Sequence, residues 1–163
     1  MELRTIGVVH TTYTEHRSTP QQASLNAEES AWVEVDDDLA DGLEALEEFD
    51  YVWLITWLGD DAVRSEGPLS EVPDLVAHLD LSVGSFATRG PFRPTPLGLH
   101  LVELVSVVGS RVTFRGVDMV EGTVVVDIKP YVKEFDRPDQ DTRSGWYAKA
   151  ALAEVAKQRG ILA

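Results

Sequence analysis

From Leu97 the chain reads "LGLHLVELVSVV", then "GS", then "RVTFRGV". Two apolar runs of strand composition separated by two turn residues connect as a β-hairpin, and the Gly-Ser pair suits its tight turn. A second turn around "EGT" leads into "VVVDIKPYV", another run rich in β-branched residues. This half of the chain is committed to antiparallel sheet, and the remainder must supply strands to pair with it.

Upstream, "RTIGVVHTTY", "AWVEV", "YVWLITWL" and "LSVGSFA" have the length and composition of strands. The segment "STPQQASLN" reads as a loop. In "DDDLADGLEALEEF", Leu39, Leu43, Leu46 and Phe49 recur at helical spacing behind aspartates that favour a helix N-terminus. A short helix is therefore expected after the second strand, limited by Gly42. Residues 59–80 read as a long loop with one helical turn at "VPDLVAHL", and "GWYAKAALAEVAKQRG" as a C-terminal helix. Six or seven strands joined largely by tight turns predict a mostly β single domain, as a barrel or a sandwich. We expect the β domain over residues 1–137, with a helical tail over 138–163 packed on it.

Composition narrows the chemistry. With no cysteine, thiol nucleophiles and Cys-ligated zinc or iron–sulfur centres are excluded. His10, His16, His78 and His100 show no metal-ligand spacing, and no metal is expected. There is no glycine-rich dinucleotide loop, Walker loop or nucleophile elbow. No apolar run approaches the ~20 residues of a membrane span, so we expect no membrane partner and a cytoplasmic location. The net charge of −14 is unevenly placed. Residues 1–88 hold 3 basic and 19 acidic side chains, a balance of −16, whereas residues 89–163 hold 11 and 9, a balance of +2. A polyanion would be repelled by one half and tolerated by the other.

The switch in charge falls inside "GSFATRGPFRPTPLG", residues 84–98. Pro91, Pro94 and Pro96 keep this segment off a sheet interior and reduce the entropy lost on ordering it. A stiff loop suits side chains that must meet a ligand in one geometry. Arg89 and Arg93 offer planar forks for a carboxylate or phosphate, or else pair with acids of the N-terminal half.

The stretch "GSFATRGPFRPTPLGLHLVEL" resembles the signature of the TsaA-like domain family, which includes tRNA methyltransferases of the TrmO type. "IGVVHTTY", "GLEALEEFDYVWLITWL", "GVDMVEGT" and "DIKPYV" resemble further family segments in the same order. The resemblance spans residues ~4 to ~135 and rests on several separated motifs. It implies a TsaA-like β-barrel that binds S-adenosyl-L-methionine without a Rossmann fold, a homodimer, and N-methylation of threonylcarbamoyl-adenosine beside the anticodon of tRNA.

Carried over by position, the resemblance places cofactor contacts at Pro20, Gln21 and Gln22; at Gly59 and Asp60; at Arg89; at Leu99; and at Met119, Val120, Glu121, Gly122 and Thr123. Arg89 would take the methionyl carboxylate, Leu99 would pack on the adenine or the methionine chain, and the 119–123 turn would offer main-chain groups. Leu99 also reads as a core residue, Gly122 as a turn glycine, and Gln21 and Gln22 as surface residues. Arg93, Asp127, Lys129 and Tyr131 are candidates for the acceptor, although Asp127 and Lys129 could equally form an ion pair. His100 faces the opposite side of its strand from Leu99 and Leu101. No general base stands out.

Tyr51, Gly59-Asp60 and the acidic "SEVPDLVAHLDL" depart from the family pattern, and all three bear on acceptor recognition. Alternative readings are methylation of a small molecule and a module that binds S-adenosylmethionine or tRNA without turnover. If RNA is the partner, Arg93, Arg115, Lys133, Arg137 and Arg143 are its expected contacts.

Overall fold

The structure is a computed structural model that describes residues 2–73 and 81–149. Eight strands form: β1 Gly7–His10, β2 Ser30–Val35, β3 Tyr51–Trp57, β4 Ser70–Glu71, β5 Val83–Gly84, β6 Leu97–Val108, β7 Arg111–Arg115 and β8 Val124–Pro130. Six of them close into a barrel in the order β1-β2-β7-β6-β3-β8, and every pairing is antiparallel. Closure leaves no exposed sheet edge around the ring. It decides between the barrel and the sandwich in favour of the barrel.

Alternation sets the two faces. Val52, Leu54 and Thr56 of β3 point inward, while Tyr51, Trp53, Ile55 and Trp57 face out. Val9, Val33, Val102, Val112, Phe114 and Val125 complete the interior, with Phe114 the largest fully buried side chain. A bulge between Ile55 and Thr56 inserts Val126 into β8 and keeps both Val125 and Ile128 on the core side. The expected hairpin forms through Gly109 and Ser110, and Gly109 takes a left-handed φ of 61°.

The expected helix after β2 is corrected. Residues Asp37–Leu43 and Leu46–Glu48 are 3-10 turns, separated by Ala45 in the left-handed region at φ 64°. Buried Leu43 and Leu46 instead fill the end of the barrel between β2 and β3. "LSVGSFA" is also corrected. Only Val83–Gly84 is strand, pairing with β4, and Ser85–Ala87 turns as 3-10. The one α-helix described is α1, Lys133–Asp136, followed by a 3-10 turn at Gly145–Lys149. Most of the helical turn expected at "VPDLVAHL", and the C-terminal helix beyond residue 149, lie outside the described residues. Among the described residues no helix is long and apolar enough to cross a membrane.

Close approach of β1 to β2 requires glycine at position 7, where an added Cβ would lie 2.1 Å from the Glu34 carbonyl oxygen. Gly7→Ala should therefore cost about 2 kcal/mol or more, since main chain rather than a side-chain tip must move. Urea unfolding checks this, and an unchanged midpoint would contradict the packing of this strand pair.

Candidate functional site

One rim of the barrel collects the segments singled out by sequence. The ends of β1 and β3 and the starts of β2, β6 and β8 lie there, as the pairings Trp57↔Leu97, Trp57↔Val124 and His10↔Trp32 establish. Pro20–Gln22 lie in the β1–β2 connection, Gly59 and Asp60 follow β3, and Met119–Thr123 precede β8. Arg89 and Leu99 meet at the start of β6, where the Arg89 Nη2 donates to the Leu99 carbonyl at 3.2 Å. The structure thus brings all five segments to one rim, although Pro20–Gln22 connect to Arg89 only through intervening residues.

That connection is a buried polar chain. β6 extends past the end of β7, so Leu97–Val102 pair with β3 alone. His100 points inward from this stretch. Its Nδ1 lies 2.7 Å from Asp118 Oδ1, and its Nε2 lies 2.9 Å from Thr56 Oγ1. The second Asp118 oxygen accepts the Ala23 N–H at 2.8 Å. A carboxylate accepts only, so Nδ1 carries a proton toward Asp118, and Nε2 shares a hydrogen bond with the Thr56 hydroxyl. Three loop or strand segments are thereby tied to β3 beneath the rim. Both ring nitrogens of His100 are therefore engaged by partners within the protein. Gly98 makes room for the arrangement, because an added Cβ there would lie 2.3 Å from both His100 Nε2 and Thr56 Oγ1.

The loop of residues 84–98 assigns its arginines different tasks. Arg93 turns inward: its Nη1 donates to the carbonyls of Thr88 at 2.9 Å and Gly90 at 3.3 Å. Its main chain bonds to Ala62 and Arg64. Arg93 is thus a stitch within the loop through Nη1 and, among the described residues, pairs with no acid. Arg89 is exposed and, among the described residues, pairs with no carboxylate. Arg4, Arg64, Arg111 and Arg115, by contrast, each lie within 4.0 Å of an acid.

The other nominated residues divide by environment. Leu99 is 50% exposed on the outer face, which overturns its reading as core and leaves it beside Arg89. Met119 and Thr123 are buried, and the Thr123 hydroxyl donates to the Val120 carbonyl. Gly122 takes φ 76°, as its turn reading requires, with open space where a side chain would be. Gly59 takes φ 96°, and the Asp60 carboxylate accepts the Trp57 indole N–H at 3.2 Å. Pro20 is buried, while Gln21 and Gln22 are half-buried. Lys129 and Asp127 form the ion pair that their spacing allowed, at 2.9 Å. Tyr131 packs its ring against Tyr51 and Trp53 on the outer face.

Glu121 accepts the Thr11 N–H at 2.8 Å and lies 2.9 Å from the His10 Nδ1. The Thr11 N–H bond, with His10 adding to it against the opposing effect of desolvation, holds its carboxyl below the usual range.

The chain matches the tRNA-methyltransferase O N-terminal domain family over residues 8–137. It is 38% identical over 146 residues to a probable S-adenosyl-L-methionine-binding protein of Pyrococcus abyssi, covering 90% of this chain and 76% of that one. It is 32% identical over 137 residues to a tRNA (adenine(37)-N6)-methyltransferase of mouse, covering 82% of this chain but 31% of the mouse protein. A crystal structure of TrmO from Pseudomonas aeruginosa superposes with a TM-score of 0.70 at 28% identity, covering 89% of this chain and 62% of that one.

Two outcomes follow from this geometry. Asp118→Ala should lower stability by about 2–4 kcal/mol, because it strands the buried His100 Nδ1–H and removes the acceptor of the Ala23 N–H. Denaturant unfolding checks it, and a loss below about 0.5 kcal/mol would refute the buried chain. For Glu121, a depressed folded pKa means stability that is present above the unfolded-state pKa and lost as pH falls through the folded value. Glu121→Gln should therefore flatten the acid limb of the stability profile measured by thermal melts from neutral to acidic pH, and an unaltered limb would contradict the assignment.

Proposed function

The chain belongs to the tRNA-methyltransferase O N-terminal domain family, and from that membership we propose that it transfers a methyl group from S-adenosylmethionine to the N6 nitrogen of an adenosine in tRNA. The finer acceptor in this reading is threonylcarbamoyl-adenosine beside the anticodon. The observation that carries the proposal is Arg89. In a chain of net charge −14, its guanidinium spends one N–H on the Leu99 carbonyl and meets no carboxylate among the described residues.

The residues at the rim fit the cofactor. Arg89 has donors to spare for a carboxylate, and exposed Leu97 and Leu99 offer apolar surface beside it. At Gly122 the space that a side chain would take is open. Asp60 and Glu121 supply negative charge that favours a sulfonium cation. Bound S-adenosylmethionine supplies a methyl group activated on its sulfonium. The residues of this chain then bind and orient: Arg89 fixes the carboxylate end, and Leu97 and Leu99 pack the apolar parts. The 119–123 turn, whose N–H groups at Glu121, Gly122 and Thr123 are bonded to Tyr13, Val9 and Val120, would offer carbonyl acceptors. His100 is given no part in the transfer, since it is buried and Asp118 and Thr56 engage both its nitrogens. The acceptor's proton leaves to water or to the acceptor's own carboxylate.

The names of the relatives support both halves of this reading, since one is named for binding S-adenosylmethionine and another for methylating adenine 37 of tRNA. On the RNA side, Arg93 engages its own loop through Nη1 only and Arg115 lies 3.6 Å from Glu103 in an exposed pair, so both keep donors for phosphate. Lys133, Arg137 and Arg143 are the remaining phosphate contacts proposed.

Arg89→Ala should weaken S-adenosylmethionine binding by about 2–4 kcal/mol in a protein that remains folded, through loss of a charge-assisted contact. Calorimetry showing unchanged affinity would remove Arg89 from the site. On the acceptor side, tRNA affinity should fall as salt rises, and Arg137→Ala or Arg143→Ala should reduce the slope. Filter binding that finds no tRNA association at low salt would shift the reading to a small-molecule acceptor.

A further inference from the structure

The chain leaves β8 at Pro130, the end of the barrel remote from the candidate site, since Pro130 pairs with Val52 near the start of β3. By Trp146 it has returned to the loop that carries Arg89. The Trp146 Nε1–H donates to the Ala87 carbonyl at 2.7 Å, and the Tyr147 hydroxyl accepts the Arg89 N–H at 3.0 Å. The two rings stack with centroids 3.9 Å apart and planes 24° apart, so each fixes the other. Gly145, at φ 58°, permits the turn that presents them.

Two adjacent aromatic residues thus grip main-chain groups on either side of Thr88. From the inner side, Arg93 Nη1 holds the carbonyls of Thr88 and Gly90. The Thr88 hydroxyl also accepts the Gly90 N–H at 3.3 Å. The main chain at 87–90 is therefore bonded from both sides, while the Arg89 side chain stays outside these bonds and points to Leu99. A long, exposed arginine loses rotamer freedom when it engages a ligand, and a fixed main chain beneath it lowers that cost.

We infer that Trp146 and Tyr147 are positioning residues for the cofactor: the segment Gly145–Ala148 is a strap that presents Arg89 to the carboxylate of S-adenosylmethionine. The inference rests on the reading of Arg89 given above. Neither aromatic side chain touches the ligand, and the strap acts through the main chain of residues 87–89.

Trp146→Phe and Tyr147→Phe keep both rings and remove only the hydrogen bonds. By calorimetry with S-adenosylmethionine, each should raise Kd by about three- to tenfold, as expected for one hydrogen bond, with the melting temperature of the free protein unchanged. Adding Tyr147→Phe to Arg89→Ala should weaken binding no further, because the strap has lost the group that it orients. Unchanged Kd in both single variants, with Arg89→Ala still weakening binding, would overturn the strap alone. So would an equal loss from Tyr147→Phe with and without Arg89, which marks a structural role. If Arg89→Ala itself leaves Kd unchanged, the cofactor reading falls first and the strap with it.

Discussion

A histidine turned into the barrel interior is the constraint to which the rest of the site answers. An inward imidazole with an unpaired nitrogen would cost as much as several good contacts contribute, so partners must be found on both of its sides. Thr56 supplies one from β3 and Asp118 the other from the segment after β7. Asp118 then has a second oxygen to satisfy, and it does so with the Ala23 N–H. One inward side chain thereby fixes the β1–β2 connection and the approach to β8 relative to β3 and β6. The same partners that make His100 tolerable occupy both its ring nitrogens within the protein.

Electrostatics gives the site a second layer. Most of the basic side chains described are held by acids or, like Arg93, by carbonyls of their own loop. Among the described residues Arg89, like Lys133, Arg137 and Arg143, pairs with no acid, and it alone of these sits in a region held by Arg93 from within and by Trp146 and Tyr147 from without. A guanidinium on a fixed main chain in an acidic protein suits a ligand that carries both a carboxylate and a cation. S-adenosylmethionine has that pattern, and the family to which the chain belongs accords with it.

The sheet was legible because period-two alternation and two-residue turns act locally. β2, β3, β6, β7 and β8 fall where the apolar runs lie. The segment 36–49 misled because its leucines recur at helical spacing for a different reason: they reach the barrel end from a pair of 3-10 turns broken at Ala45. Alternation along β6 set His100 opposite Leu99 correctly, but it left open which side is the interior. Gly98 and Val102 share His100's parity and are buried, while Leu99 is exposed. A glycine two residues before an inward histidine was the available signal. The roles of Asp118, Trp146 and Tyr147 rest on contacts between residues 18 to 95 positions apart, and no local pattern encodes those. The cofactor positions taken from the family resemblance reach one rim, which neither composition nor spacing could have established, whereas Lys129 and Tyr131 lie toward the other end, beside Trp53 and Tyr51.

Hydrogen exchange of the intact chain with and without S-adenosylmethionine, read peptide by peptide, tests the central claim most directly. The account predicts added protection confined to the rim: residues 20–23, 59–60, 87–90, 97–99 and 119–123. Protection centred on the opposite end, around residues 35–48 and 108–111, or no protection at saturating cofactor, would contradict it.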